Sequence, residues 1–139
     1  MVPTGVIESV DETPLDFRTA TKIGDRIEES HFMLVGGGGY DLNYCLTSKP
    51  MELAAKAWCD KTGIALEVFT TEPGVQLYTG NFLAGVKGKS GVTHNKRDGF
   101  CLETQHYPDS CNCPNFPSTQ YNPGDPFDSK TIFKFSRTS

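Results

Sequence analysis

The sequence lacks a long hydrophobic run, and it is short of positive charge. No apolar stretch approaches the roughly 18 residues that suggest a membrane-spanning helix. Lysine and arginine together number 13, against 17 aspartate and glutamate residues, which gives a formal net charge of -4 and a pI of about 5.3. Nucleic acids and anionic membrane surfaces attract basic proteins, so this composition argues against both as partners.

The sequence also shows no export signal at its first residues. The stretch MVPTGVIESVDETP lacks the basic and apolar regions of a signal peptide. Five cysteines are an odd number, so they cannot all pair within one chain. We therefore expect reduced thiols in a cytoplasmic protein.

Glycine and proline are plentiful, with 14 and nine residues among 139. They separate short apolar stretches, and this pattern predicts an all-β sandwich or barrel in one domain of residues 1–139. Strands are predicted in HFMLV, YDLNYCL, GVQLYTGNFL, FCLETQHYP and KTIFKFSRT. Residues 51–63 contain helix formers, but AAKAWCD, the turn Lys61-Thr62-Gly63 and IALEVFTTEP compete as a β-hairpin.

Two motifs raise the question of a bound phosphate or metal. The run GGGGYD, residues 36–41, lacks the Lys-Ser/Thr of a phosphate loop, so a backbone that needs positive φ or a close approach explains it better. Cys101, His106, Cys111 and Cys113 contain no Cys-x2-Cys pair, and we predict no metal site there. A Cys-His nucleophilic pair is an equally loose pattern, and His106 is more typical of a hydrogen-bonded structural histidine.

Three polar residues lie in or beside predicted strands and need an explanation. Glu103 interrupts the strand FCLETQHYP, Gln76 alternates with Val75 and Leu77, and Asp41 follows the glycine run. Carboxylates and amides near aromatic residues are what sugar hydroxyls require, namely directional hydrogen bonds beside an apolar platform. The solvent-exposed face of a sandwich explains the same pattern, and the pattern alone favours it.

Three longer stretches resemble the aldose 1-epimerase (galactose mutarotase) family. They are GGGGYDLNYCL, LEVFTTEPGVQLYTGNFL and GFCLETQHYPDSCNCPNFPS, and the opening and closing segments follow in the same order. The resemblance implies part of a galactose mutarotase-like β-supersandwich that interconverts the anomers of free hexoses such as glucose and galactose, with no cofactor and no metal. It implies that Glu103, in the ETQ motif, is the general base, and that Asp41 and Gln76 bind the sugar.

The resemblance covers only the C-terminal part of the family's domain. The family's N-terminal part carries the catalytic acid, a histidine, with a second sugar-binding histidine and an arginine, and no histidine of this sequence matches those motifs. Leu42 also stands where the family usually has histidine. We therefore weigh two hypotheses: an isomerase that is weak or inactive as a truncated chain, and a non-catalytic β-sandwich remnant that binds carbohydrate or associates through unpaired sheet edges.

Overall fold

The computed structural model describes residues 2–137, which form two compact units. The first unit contains residues 6–42 and 77–101, and the second contains residues 2–5, 43–76 and 102–137. Eight strands account for most of the regular structure, and this confirms the predicted all-β class. The strands are β1 (Asp41–Cys45), β2 (Leu53–Cys59), β3 (Ile64–Thr70), β4 (Gly74–Tyr78), β5 (Val86–Lys87), β6 (Thr93–His94), β7 (Cys101–Gln105) and β8 (Thr131–Arg137).

The strands form three small sheets. Two sheets have three strands each, in the orders β1-β4-β7 and β2-β3-β8, and β5 pairs with β6 in a short antiparallel ribbon. Short 3-10 turns occupy Lys89–Gly91 and Ser110–Asn112. Among residues 2–137, no helix has the length and apolar character that a membrane crossing requires.

Of the two interpretations of residues 51–63, a helix and part of a β-hairpin, the hairpin is confirmed. β2 and β3 pair antiparallel, with Cys59 opposite Ile64. The turn between them closes with a hydrogen bond of 2.8 Å from the Gly63 amide to the Cys59 carbonyl, and Gly63 has a φ of 67°. Glycine adopts this left-handed conformation without steric cost, so the turn needs it. β3 then pairs antiparallel with β8 on its other edge.

The prediction of a strand in HFMLV is wrong, because Phe32–Gly37 forms the short helix α1. The His31 ring accepts a hydrogen bond from the Met33 amide and caps its start. At its end, Gly38 has a φ of 65° and Gly39 a φ of 140°. A short apolar run does not distinguish a strand from a buried helix, whereas the glycines that follow it stop a helix.

The glycine run also closes against a buried polar cluster of the first unit. Asn81 donates hydrogen bonds of 3.0 and 2.9 Å to the carbonyls of Gly37 and Tyr40. A Cβ on Gly39 would lie 2.2 Å from Asn81 Oδ1, so a side chain cannot fit there. The expectation of positive φ and close approach in GGGGYD is confirmed.

Each unit buries its own apolar residues. In the first unit these are Leu15, Ile27, Leu34, Tyr40 and Leu77, and in the second they are Ala65, Val68, Val75, Cys113 and Phe116. Val68, at the centre of β3, is 0% exposed. By contrast Phe133 and Phe135 of the edge strand β8 are 49% and 70% exposed. The sheet β2-β3-β8 is therefore covered over its central strand and open at β8.

Candidate functional site

Strand β7 carries Glu103, the residue that the sequence singles out as a base. Side chains alternate along a strand, so Glu103 and Gln105 share one face while Leu102 and Thr104 share the other. Thr104 anchors the strand, since its hydroxyl lies 2.7 Å from that of Thr131 at the start of β8. The Glu103 side chain is exposed, and no hydrogen bond to it is found within residues 2–137. The structure thus gives an anchored strand with an accessible carboxylate.

Gln105 connects β7 to the two other strands of its sheet. Its amide nitrogen donates hydrogen bonds of 2.9 Å to Gln76 Oε1 of β4 and 3.2 Å to Asn43 Oδ1 of β1. These hydrogen bonds link the three strands of the sheet through one side chain.

Gly74 makes room for this arrangement. A Cβ at residue 74 would lie 2.5 Å from Asn43 Oδ1 and 2.9 Å from its Nδ2, so the Asn43 amide occupies the space that a side chain would take. The Asn43 nitrogen also faces the Cys45 sulfur at 3.9 Å. The glycine of the EPGVQ stretch is therefore required for the close approach of the Asn43 amide to β4.

His106 is held by an acidic partner just beyond β7. Its Nδ1 lies 2.7 Å from Glu72 Oε2, and Ser129 donates a hydrogen bond to the other Glu72 oxygen. The side chains of Glu72 and His106 are only 10% and 29% exposed. The prediction that His106 is hydrogen-bonded is confirmed, and its structural role stays a prediction.

Tyr107 extends the polar network on this side of the second unit. Burial, and to a smaller extent the hydrogen bond with the Cys45 thiol, together raise the pKa of Tyr107 to about 12. The tyrosine ring packs edge-on against Phe116, with ring centroids 5.3 Å apart. This residue is therefore neutral over the pH range in which the protein would work.

The structure links two of the three predicted site residues and does not link the third to them. Gln76, in β4, and Glu103, in β7, are linked through Gln105, which hydrogen-bonds the first and shares a strand face with the second. Asp41 is the first residue of β1, is half-buried and belongs to the first unit. Its part in sugar binding stays a prediction.

The sequence analysis did not single out Asn43, although its position in an alternating polar pattern could have indicated it. Asp41 and Asn43 are polar at alternate positions of β1, as Glu103 and Gln105 are in β7. Alternation of this kind marks one polar face of a strand. What the sequence does not reveal is the strand order that brings these two faces to β4.

The described part of the chain contains no candidate metal site. Within residues 2–137, no group of three or more histidine, cysteine, aspartate or glutamate side chains could hold a metal ion. None of the five cysteines, all of which lie within residues 2–137, forms a disulfide, and only Cys113 among them is buried.

Comparison with known proteins gives a consistent result. The sequence matches the aldose 1-epimerase family over residues 1–134. It is 46% identical over 138 residues to the galactose mutarotase of Bos taurus, a match that covers 98% of this chain and 39% of the relative. It is 32% identical over 142 residues to the aldose 1-epimerase of Escherichia coli K12, covering 96% of this chain and 40% of that protein.

A solved structure of an aldose epimerase homologue has the same fold over this chain. The GalM/aldose epimerase homologue from C. elegans superposes with a TM-score of 0.79 at 27% sequence identity, over 99% of this chain and 41% of its own. The chain thus spans about two fifths of the length of the proteins it matches, in their C-terminal part. The predicted mutarotase-like fold is confirmed.

Proposed function

Because this chain belongs to the aldose 1-epimerase family, we propose that it takes part in interconverting the α and β anomers of free hexoses such as glucose and galactose. The observation that carries the proposal is the Gln105 link. It joins Gln76, the proposed sugar ligand, to the strand face that holds Glu103, the proposed base. The chain spans 39% of its bovine relative, so the activity of the whole relative is a proposal for this chain.

In the proposed reaction, Glu103 removes the proton from the anomeric hydroxyl. An acid protonates the ring oxygen, the ring opens to the aldehyde, and rotation followed by closure gives the other anomer. The exposed Glu103 carboxylate has no hydrogen bond within residues 2–137 to compete with a substrate hydroxyl. Its place on an anchored strand limits its motion, which favours general-base catalysis.

Gln76 and Asp41 are the proposed sugar ligands. An amide and a carboxylate supply the donor and acceptor groups that hydroxyls need, and they leave the reacting proton to Glu103. Neither residue requires a metal or an organic cofactor in this role.

The catalytic acid is the part that this chain does not supply. His106 is engaged by Glu72, and neither His31 nor His94 occurs in a motif that matches the family's acid. General acid or base assistance contributes roughly 10² to 10⁴-fold per group. We therefore expect this chain alone to accelerate mutarotation far less than a protein that carries both groups.

A second candidate is a non-catalytic β-sandwich that binds carbohydrate or another chain. Exposure of Phe133 and Phe135 on the edge strand β8 favours it, because an open edge with apolar side chains is a common site of association. On this alternative Glu103 is a solvated carboxylate or a sugar ligand and performs no proton transfer.

Polarimetry of freshly dissolved α-D-glucose and α-D-galactose tests the enzyme proposal. The chain is first shown to be folded by circular dichroism. Acceleration over buffer that disappears in Glu103→Gln, and persists in the control Glu8→Gln at an exposed site, would support the proposed base. A folded chain that gives no acceleration would exclude an independent enzyme.

Two measurements then separate the alternatives. Hexose binding in an NMR titration, without acceleration, would identify a carbohydrate-binding module. Self-association in sedimentation that is lost in Phe135→Lys would identify β8 as an interaction edge. A folded, monomeric chain that neither binds nor converts hexoses would rule out both functions.

A further inference from the structure

We propose that Thr131, at the start of β8, is a positioning residue for Glu103, and that together with Ser129 it holds β7 from the side away from the proposed base. The inference rests on the proposed function, in which Glu103 removes the anomeric proton. It deepens that function by assigning residues of the other three-stranded sheet a part in setting its rate. Residues 129–131 are called the strap below.

The proposed base depends on its strand for its position. The Glu103 side chain is exposed, and no hydrogen bond to it is found within residues 2–137. Among the described strands, β7 lies at an edge of its sheet, with β4 as its neighbour. The hydrogen bonds of Gln105 tie β7 to strands of that same sheet. The place of the Glu103 carboxylate therefore also depends on what holds β7 from outside the sheet.

The first contact of the strap reaches Thr104, on the face of β7 opposite Glu103. The Thr131 hydroxyl lies 2.7 Å from that of Thr104 and 3.0 Å from that of Thr70 in β3. Thr70 is 2% exposed, and its hydroxyl also accepts a hydrogen bond of 3.0 Å from the Glu72 amide. Thr131 thus joins β7 to a buried position of β3. Because water replaces a buried contact poorly, removing this hydroxyl leaves polar groups unpaired.

The second contact of the strap reaches the residue after β7 by way of Glu72. Ser129 donates a hydrogen bond to one Glu72 carboxylate oxygen, and His106 Nδ1 lies 2.7 Å from the other. Between these two contacts the strap is itself held, since the Thr71 amide donates 3.0 Å to the Lys130 carbonyl and the Lys130 amide donates 2.9 Å to the Thr71 hydroxyl. The strap therefore reaches the chain on both sides of the last residue of β7.

The consequence for catalysis follows from the neighbouring positions of Thr104 and Glu103. A shift of the β7 backbone at the first residue moves the second, and a misplacement of about 1 Å can cost roughly 10²-fold in rate. The proposed sugar ligands Gln76 and Asp41 lie in other strands, β4 and β1. We therefore expect the loss of the strap contact to lower kcat and to leave KM nearly unchanged.

Thr131→Val is the test, because valine keeps the shape of threonine and lacks its hydroxyl. In polarimetry of α-D-glucose we expect kcat to fall about tenfold or more, with KM within about twofold of the native value and an unchanged circular dichroism spectrum. Thr131→Ser restores the hydroxyl and is expected to recover most of kcat. Thr119→Val makes the same exchange at an exposed loop position of the same unit, and it should match the native protein.

Thr104→Val removes the other side of the same contact, and it carries the test if Thr131→Val does not fold. We expect a similar fall in kcat. Where both variants fold, the double variant should lose no more than Thr131→Val alone, since the two substitutions remove one shared contact. Ser129→Ala leaves the contact between Glu72 and His106 in place, and it should lower kcat by less.

The readouts separate this inference from the proposed function. If the folded native chain does not accelerate mutarotation, the proposed function fails, and the role inferred for Thr131 fails with it. If the native chain is active but Thr131→Val turns over as fast, or Thr131→Ser is as slow as Thr131→Val, the positioning role is overturned and the proposed function survives. A rise in KM at unchanged kcat would overturn it equally, because the strap would then act on sugar binding.

Discussion

The two three-stranded sheets differ in how their strands are tied together by side chains. In β2-β3-β8, the Glu67 carboxylate lies between Lys56 and Lys134, at 3.2 and 3.0 Å, and these contacts are ion pairs near the surface. In β1-β4-β7, the Gln105 amide links the strands through two hydrogen bonds that are neutral and directional. Ion pairs tolerate changes of angle and distance, whereas an amide fixes which end of its partner faces outward.

The difference agrees with where the proposed site residues lie. Gln76 and Glu103 are in strands of the amide-linked sheet, and none of the proposed site residues is in the ion-paired sheet. Both sheets bury apolar residues, Val68 in the ion-paired sheet and Val75 in the amide-linked sheet. The sheets therefore differ in their side-chain links rather than in their share of the core, and four variants test the comparison.

The largest effect is expected from the core of the ion-paired sheet. Val68→Ala removes two methyl groups from a site with no solvent exposure, and we expect the free energy of unfolding to fall by about 2 kcal/mol. Urea denaturation followed by circular dichroism measures the change. Val86→Ala, at a residue that is 47% exposed, should cost far less, and an equal loss in both variants would contradict the assignment of Val68 to the core.

Gly74→Ala is expected to disturb the amide-linked sheet by a smaller amount. The new methyl group collides with Asn43, and overpacking of this kind costs about 1–3 kcal/mol. Because Asn43→Ala removes the obstacle, the double variant with Gly74→Ala and Asn43→Ala should regain part of the lost free energy of unfolding. Gly99→Ala, where a Cβ meets nothing within 4 Å, is the control. Additive effects of the two substitutions would show that Asn43 does not occupy the space above residue 74.

Tyr107 gives the amide-linked region a predicted dependence on alkaline pH. Its pKa is raised to about 12 in the folded protein, from about 10 in the unfolded chain, mainly by burial. The unfolded chain loses its proton first, so stability is full below pH 10 and declines as the pH rises toward 12. We expect the stability of the Tyr107→Phe variant to fall less than that of the native protein between pH 10 and 12. Identical profiles of stability against alkaline pH for the two proteins would refute this prediction.

The smallest effect is expected at the ion pairs of the ion-paired sheet. Hydrogen bonds from Lys134 and then from Lys56 lower the pKa of Glu67. A lowered carboxyl pKa contributes stability above the pKa of the unfolded chain, and this contribution is lost as pH falls through the folded value. Glu67→Gln should therefore reduce the loss of stability in acid and weaken its dependence on salt. If the stability of both proteins depended on acid pH in the same way and did not depend on salt, a stabilising role of these ion pairs would be excluded.

The sequence predicts local features of this fold better than contacts between distant segments. The hairpin at Gly63 was predictable because two alternating stretches flank a turn residue. The helix at 32–37 was not, since its apolar run is too short to show a period. The amide link of Gln105 depends on the order β1-β4-β7, which brings together residues 62 and 29 positions apart. No local pattern encodes that order. The strand pattern singled out Gln76 and Glu103 as polar residues, and only the resemblance gave them a role.

The pairing of β3 with β8 has a consequence for the time course of synthesis on the ribosome. β2 and β3 are neighbours in the chain and can pair at once, but Thr70 meets Thr131 only 61 residues later. At about 5–20 residues per second, one edge of β3 waits roughly 3–12 seconds for its partner. During that interval Leu66 and Val68 lie in a strand whose backbone is unpaired on one edge, so wrong pairing with another chain competes with folding until β8 is made.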